Sequence, residues 1–337
     1  MGDPDVGAAK DPIDLVLQGG GVKGIALVGA VDRLLERFEV RRVGGTSAGA
    51  IVAALIAAGY SREELREAMG ELRYDRVPDP VLPVPVLGAL AGLVTTSGLY
   101  RGDYIRDWVA GKLAAKGVRT FADLVLAPDD LGDPFLRGDR GYRLVVTATD
   151  ITRGQGLRLP WDYRTAFAVD PAEQLVADAV RMSLSIPVFF RPVRMSGAGG
   201  ETYEVVDGGV MSNFPVQMFD RQDGQQPRWP TLGAGVIEDL PRAVDTLVPG
   251  LPVPRCGALG VLVSSVVTAV VGNDQTYLAE PRNAERVFRA DTRSVGAVDF
   301  WLDRRARDEL TESGELAAET FLRRWSWDGY RDRFHPR

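Results

Sequence analysis

The sequence has one cysteine, Cys256, and one histidine, His335, among its 337 residues. A lone cysteine excludes an internal disulfide and any zinc site built from several thiolates, so nothing in the composition ties the chain to an oxidising compartment. A lone histidine leaves one imidazole for acid–base work anywhere in the molecule. Lysine is also scarce, supplying four of the forty basic residues. The net charge of −6 and the pI near 5.1 provide no basic surface able to release phosphate counterions, which argues against nucleic acid as a partner. The first residues, MGDPDVGAAKDP, contain no apolar run of the kind a secretory signal needs, so a cytoplasmic location is expected.

Long apolar runs are lacking too. Two uncharged stretches come nearest, 80–100 and 256–273. Pro80, Pro83 and Pro85 break the first as a single helix, and the second is short and diluted by Ser, Gly and Asn, while a spanning helix needs ~20 apolar residues. Both read as buried helix or loop. For residues 80–93 two readings stand side by side: a lid or interfacial element making transient contact with a membrane surface, or plain core packing.

What is present is the composition of a globular protein, 45% hydrophobic and 26% charged. Residues 13–17 (IDLVL) predict a strand, and Leu27, Val31, Leu34, Leu35 and Phe38 fall on one helical stripe. A short strand is predicted over 40–43, followed by the turn GGTSAG and an all-apolar, hence buried, helix. Ser61 and Glu64 predict a capping box. YRLVVTATD (142–150) and TYEVV (202–206) predict further strands, and TFLRRW (320–325) closes a last amphipathic helix. Alternating strands and helices imply an α/β fold with a mostly parallel sheet. Residues 1–12 are expected to be a disordered segment, 13–220 the catalytic core, and 221–337 a part packed on the same domain.

Two glycine turns carry the chemistry. In GGGVKG, Gly19, Gly21 and Gly24 satisfy the G-x-G-x-x-G of dinucleotide-binding folds. No acidic residue ends the second strand to hold a ribose, however, and Lys23 is followed by Gly24, which excludes a phosphate loop of the G-K-[ST] type. Gly19, Gly20 and Gly21 instead offer amides at a helix N-terminus, where negative charge is favoured. In GTSAG, Gly45 and Gly49 flank Ser47 between a strand and a helix, the setting of a nucleophile elbow. A serine nucleophile needs a base. His335 follows Ser47 in the order of an α/β-hydrolase triad, but FHPR stands at the end of the chain, where fraying is expected. A carboxylate is then required, and Asp207, which opens Asp207-Gly208-Gly209 after TYEVV, is the candidate. Taken alone, DGG also reads as a hairpin turn.

Together GGGVKG, GTSAG and DGG resemble the patatin-like phospholipase family, which carries G-G-G-x-[KR]-G, G-x-S-x-G and Asp-Gly-[AG] in that order. TATDI (147–151), SLSIPVFFRPV (183–193), Asn213 and Pro215 add to the likeness, which is strong over 13–220. The resemblance implies a three-layer α/β/α sandwich. It also implies hydrolysis of acyl esters, with a phospholipid or other acyl-lipid as substrate and no metal or cofactor. In that reading Ser47 attacks, Asp207 is the general base, and the amides of Gly19, Gly20, Gly21 and Ala48 hold the oxyanion. Val22, Lys23, Gly24, Gly45, Gly49, Gly208 and Gly209 complete the motifs. Lys23 either steers an anionic head group or is solvated on a helix surface. Lipid acyltransfer, thioester hydrolysis and a catalytically silent lipid-sensing scaffold remain as alternatives, and any activating partner is left open. With a carboxylate of ordinary pKa as base, activity is expected to lack the near-neutral limb that an imidazole gives.

Overall fold

The strand β1 (Asp11–Leu17) is fully buried from Ile13 onward. A strand covered on both faces has no solvent side to alternate with, which is why IDLVL reads as a near-continuous apolar run. Its one buried charge, Asp14, is met by Arg42 of β2 (Phe38–Gly45), whose Nε donates to Oδ1 at 2.9 Å. In the computed structural model, residues 10–80, 97–237, 274–296 and 299–335 are described. The expectations placed on residues 81–96, on Cys256 and on the second uncharged stretch fall outside them.

Further strands follow in chain order: β3 (Gly98–Tyr100), β4 (Leu144–Asp150), β5 (Gln155–Leu159), β6 (Val188–Phe190) and β7 (Val193–Ser196). The last are β8 (Thr202–Asp207), β9 (Thr231–Ile237) and β10 (Val287–Asp291). The main sheet has the order β10-β9-β1-β2-β4-β8-β7, with β5 also paired to β4; β3 and β6 form a separate parallel pair. The strands from β10 across to β4 are parallel, whereas β5 and β8 run antiparallel to β4, and β7 antiparallel to β8. Strands from both sides of residue 220 therefore share one sheet.

Helices flank this sheet in the expected α/β layering. Parallel neighbours need a crossover, and α1 (Ile25–Arg37) supplies the one between β1 and β2. All ten residues of α2 (Ala48–Ala57) are buried, against β1, β2 and β4. Each large apolar side chain so buried is worth ~1.5–3 kcal/mol. The capping box is present at α3 (Arg62–Glu71), where Ser61 Oγ accepts the Glu64 amide at 3.2 Å and Glu64 Oε2 accepts the Ser61 amide at 2.8 Å. Next come α4 (Asp103–Ala115) and α5 (Val176–Ser183), packed on each other.

The helix that TFLRRW closes is not the last one. It is α6 (Arg304–Arg324), lying across α1 and β10, and it is followed by α7 (Trp327–Phe334). The α1–α6 crossing is close enough that a Cβ on Gly314 would sit 1.9 Å from the Ala26 carbonyl oxygen. Among the described residues no helix is long and apolar enough to cross a membrane. β1 and β2 end side by side, Leu17 level with Gly45, so the two glycine turns leave the sheet at the same place.

Candidate active site

Ser47 sits between β2 and α2 at φ 50°, ψ −126°, a backbone state rare for a residue with a side chain. Such a state costs ~1–3 kcal/mol and persists only where the surroundings impose it. Here they do. A Cβ on Gly45 would lie 2.4 Å from the Gly49 carbonyl oxygen, and one on Gly49 would lie 2.5 Å from that of Leu17. The turn is thus packed backbone to backbone, with buried α2 behind it. The Ser47 amide donates to Ser183 Oγ at 2.8 Å, which fixes the entry to the elbow. That bond gives the SLSIPVFFRPV block a local role that the sequence did not disclose.

The first glycine turn follows β1. Gln18 Oε1 accepts the Val236 amide at 3.1 Å and ties the turn to β9. Of the expected oxyanion donors, Gly19 is already engaged: its amide donates to the Asn213 carbonyl at 3.1 Å, and Asn213 Nδ2 donates back to the Gly19 carbonyl at 3.3 Å. Gly19 therefore clamps the loop, and its amide is not available to an oxyanion. Gly21 opens a short 3₁₀ turn (Gly21–Gly24) with Gly20 as its N-cap, and Ala48 is the first residue of α2. Amides at these positions have no acceptor within their own helix. Gly24 packs on Ala48, where a Cβ would meet the alanine Cβ at 2.7 Å. Lys23 is only 4% exposed, which overturns the solvated alternative. Its charge adds to the Arg293 hydrogen bond in holding the Asp291 carboxyl down, at about 2.

Asp207 ends β8. The rule that sites gather at strand C-termini applies to parallel strands, and β8 is antiparallel; Asp207 reaches the site because β8 stops level with Ala148 of β4, close to where Gly45 pairs with Val146. β4 lies between the two motifs and joins them. Thr147 Oγ1 and Thr46 Oγ1 are 2.6 Å apart, and Gly208 packs directly on Thr147. The Asp207 amide donates to the Ser185 carbonyl at 2.9 Å, and Oδ1 accepts the Gly209 amide at 2.8 Å. Oδ2 is buried and has no hydrogen-bond partner of ordinary geometry. Burial pushes the carboxyl up to about 7, against smaller opposing pulls from the Gly209 amide and the Ser47 hydroxyl. Ser47 thus faces the carboxylate but stops short of a regular hydrogen bond, as catalytic pairs often do before substrate arrives. The pKa also corrects the pH expectation, because a buried aspartate titrates where an imidazole would.

A cavity of ≈ 40 Å³ opens beside Ser47, Gly21 and Ala48, walled by apolar side chains including Ile51, Met69, Leu184 and Phe190. His335 does not border it. That residue lines a separate cavity with Asp14 and Arg42, which pair with each other midway along β1 and β2. It is not frayed: its carbonyl accepts Gln226 Nε2 at 2.9 Å, and its ring centroid lies 5.9 Å from that of Tyr330. Among the described residues no group of three or more His, Cys, Asp or Glu side chains is arranged to hold a metal ion.

A family model for patatin-like phospholipase matches residues 15–220. An uncharacterised Bacillus subtilis protein, YqhO, is 36% identical over 320 residues, covering 94% of this chain and 99% of its own length. The cUMP-AMP-activated phospholipase of Escherichia coli is 27% identical over 210 residues, 60% of this chain and 56% of that protein. Among solved structures, VipD from Legionella pneumophila superposes with a TM-score of 0.54 at 17% identity, over 93% of this chain and 67% of that one, a likeness of fold.

Proposed function

The chain belongs to the patatin-like phospholipase family, and from that premise we propose that it is a lipid acyl hydrolase of phospholipase A or lysophospholipase type, with Ser47 as nucleophile and Asp207 as general base. Ser47 Oγ attacks the ester carbonyl carbon while Asp207 takes its proton. The oxyanion is received by the amides of Gly20, Gly21 and Ala48, preorganised donors that strengthen as charge develops. Collapse expels the alcohol, which recovers the proton from Asp207, and leaves an acyl-serine. Water, deprotonated by Asp207, then releases the fatty acid. The apolar wall beside Ser47 suits the carbon chain of the acyl group.

One observation carries this reading. A serine on a strained elbow faces a fully buried aspartate whose second oxygen is unbonded and whose pKa is lifted to about 7. A base works best with a pKa near the operating pH, and burial moves this carboxyl into that range. The test is hydrolysis of a fluorogenic phospholipid and of a p-nitrophenyl acyl ester. Ser47→Ala and Asp207→Asn are each expected to lose activity, the latter by ~10²–10⁴-fold, while His335→Ala keeps it. An inactive His335→Ala beside an active Asp207→Asn would overturn the assignment.

A further inference from the structure

Where the chain leaves α5, three successive residues touch three parts of the candidate site. Ser183, the last residue of the helix, accepts the Ser47 amide on its Oγ at 2.8 Å. Leu184 belongs to the apolar wall of the cavity beside Ser47. The Ser185 carbonyl accepts the Asp207 amide at 2.9 Å. Ser47 and Asp207 stand on different elements, the one between β2 and α2, the other at the end of β8. Each is nevertheless tied through its own backbone amide to one short stretch, at positions two residues apart. Ser183 and Ser185 are fully buried, so water does not compete for either contact.

A short stretch sets a spacing only if it is itself held, and Arg181 holds this one. Its guanidinium donates to Ser185 Oγ, to the Arg101 carbonyl and, at 3.1 Å, to the Arg191 carbonyl. Ser185 Oγ in turn donates to the Arg181 carbonyl at 2.9 Å. Arg101 follows β3 and Arg191 follows β6, so the fork fastens the stretch to the small parallel pair. Arg181 is 5% exposed, and these acceptors are neutral oxygens. A buried cation without a carboxylate partner is expensive, so fold stability gains little from it. What the arrangement supplies is a fixed place for Ser185 and, through it, for Asp207. Reacting groups demand such placement, because a misplacement of about 1 Å can cost ~10²-fold in rate.

The geometry points to Ser183 and Ser185 as positioning residues, a spacer anchored by Arg181 that fixes how far the Ser47 backbone stands from that of Asp207. The inference rests on the Ser–Asp reading given above. Ser183→Ala removes the acceptor of the Ser47 amide. Ser185→Ala removes the hydroxyl that Arg181 grips and leaves the carbonyl in place. Both variants and the double variant are measured for kcat and KM on the p-nitrophenyl acyl ester, at a temperature well below the lowest melting point. Each single change is expected to lower kcat by ~10–10²-fold with KM unchanged. The double variant should lose about as much as the worse single one, since residues that act as a unit fail together. Ser183→Cys fills the site and keeps a weak sulfur acceptor. Its kcat should fall between those of wild type and Ser183→Ala, and it carries the test if the alanine variant does not fold. Wild-type kcat in the serine variants overturns the spacer, as does a loss confined to KM or a double variant whose loss is the product of the two single ones. Ser47→Ala and Asp207→Asn are run beside them. If either keeps full activity, the Ser–Asp reading falls; if both are inactive while the Ser183 and Ser185 variants match wild type, the spacer alone falls.

Discussion

At the scale of single residues, the proposed mechanism makes Asp207 the group that sets the pH behaviour. Its catalytic form is the carboxylate, so kcat/KM is expected to rise with pH and level off above about 7. The same limb should persist in His335→Ala, and a profile that loses it there would assign the limb to the imidazole. Stability runs the other way. The folded pKa lies above the unfolded value of ~3.9, so between the two the native state binds more protons, and stability falls as pH rises through that window. Each unit is worth ~1.4 kcal/mol, which makes the ionised carboxylate a cost on the order of 4 kcal/mol. Asp207→Asn removes the charge and keeps an oxygen for the Gly209 amide. It should melt at a higher temperature than wild type at pH 8 and at nearly the same temperature at pH 4; equal melting at both would show that the carboxyl is not so burdened. The three motifs were legible in the sequence because each is a contiguous turn. The engaged Gly19 amide and the Ser183 contact were not, since each depends on a segment more than a hundred residues away, and the Asp207 pKa was not, since it follows from burial in the folded chain.

Among elements, sequence and structure agree best where burial is uniform or a local bond decides. β1, β4 and α2 are covered on all sides and have apolar runs, and the α3 capping box is a four-residue signal. β9 was illegible for a physical reason. Its Gly233 and Gly235 give no strand signal, and they are glycine because Phe214 and Gln18 press on them: a Cβ on Gly235 would lie 2.2 Å from Gln18 Oε1. The α1–α6 crossing follows the same logic. Gly314→Val drives a side chain into the Ala26 carbonyl and should cost at least ~1–3 kcal/mol, seen as a lower melting temperature. Gly111→Ala, on an exposed part of α4 with nothing within 4 Å of the new methyl, should leave stability unchanged or raise it by up to ~1 kcal/mol. Equal effects of the two would refute the close crossing.

For the whole molecule, β9 and β10 come from beyond residue 220 yet complete the sheet that β1 and β2 begin, and α6 covers α1 and β10. Phe321 of α6 stacks on Phe288 of β10 with ring centroids 5.0 Å apart. The full chain is therefore expected to melt in one calorimetric transition, and a chain cut before Arg304 to show no cooperative melt. A folded, active truncation would make the last two helices an accessory layer.

The clamp between Gly19 and Asn213 also bears on when the protein is made dangerous to lipids. The serine is translated at position 47, the carboxylate at 207, and the residue that pins the first glycine turn at 213. On the proposed mechanism a ribosome-bound chain carries the nucleophile from residue 47 until residue 207 without the base, and until residue 213 without the clamp. Messages that end ahead of those residues release fragments whose serine lacks its proposed base, so the order of the motifs delays the proposed chemistry until residue 213 has been added.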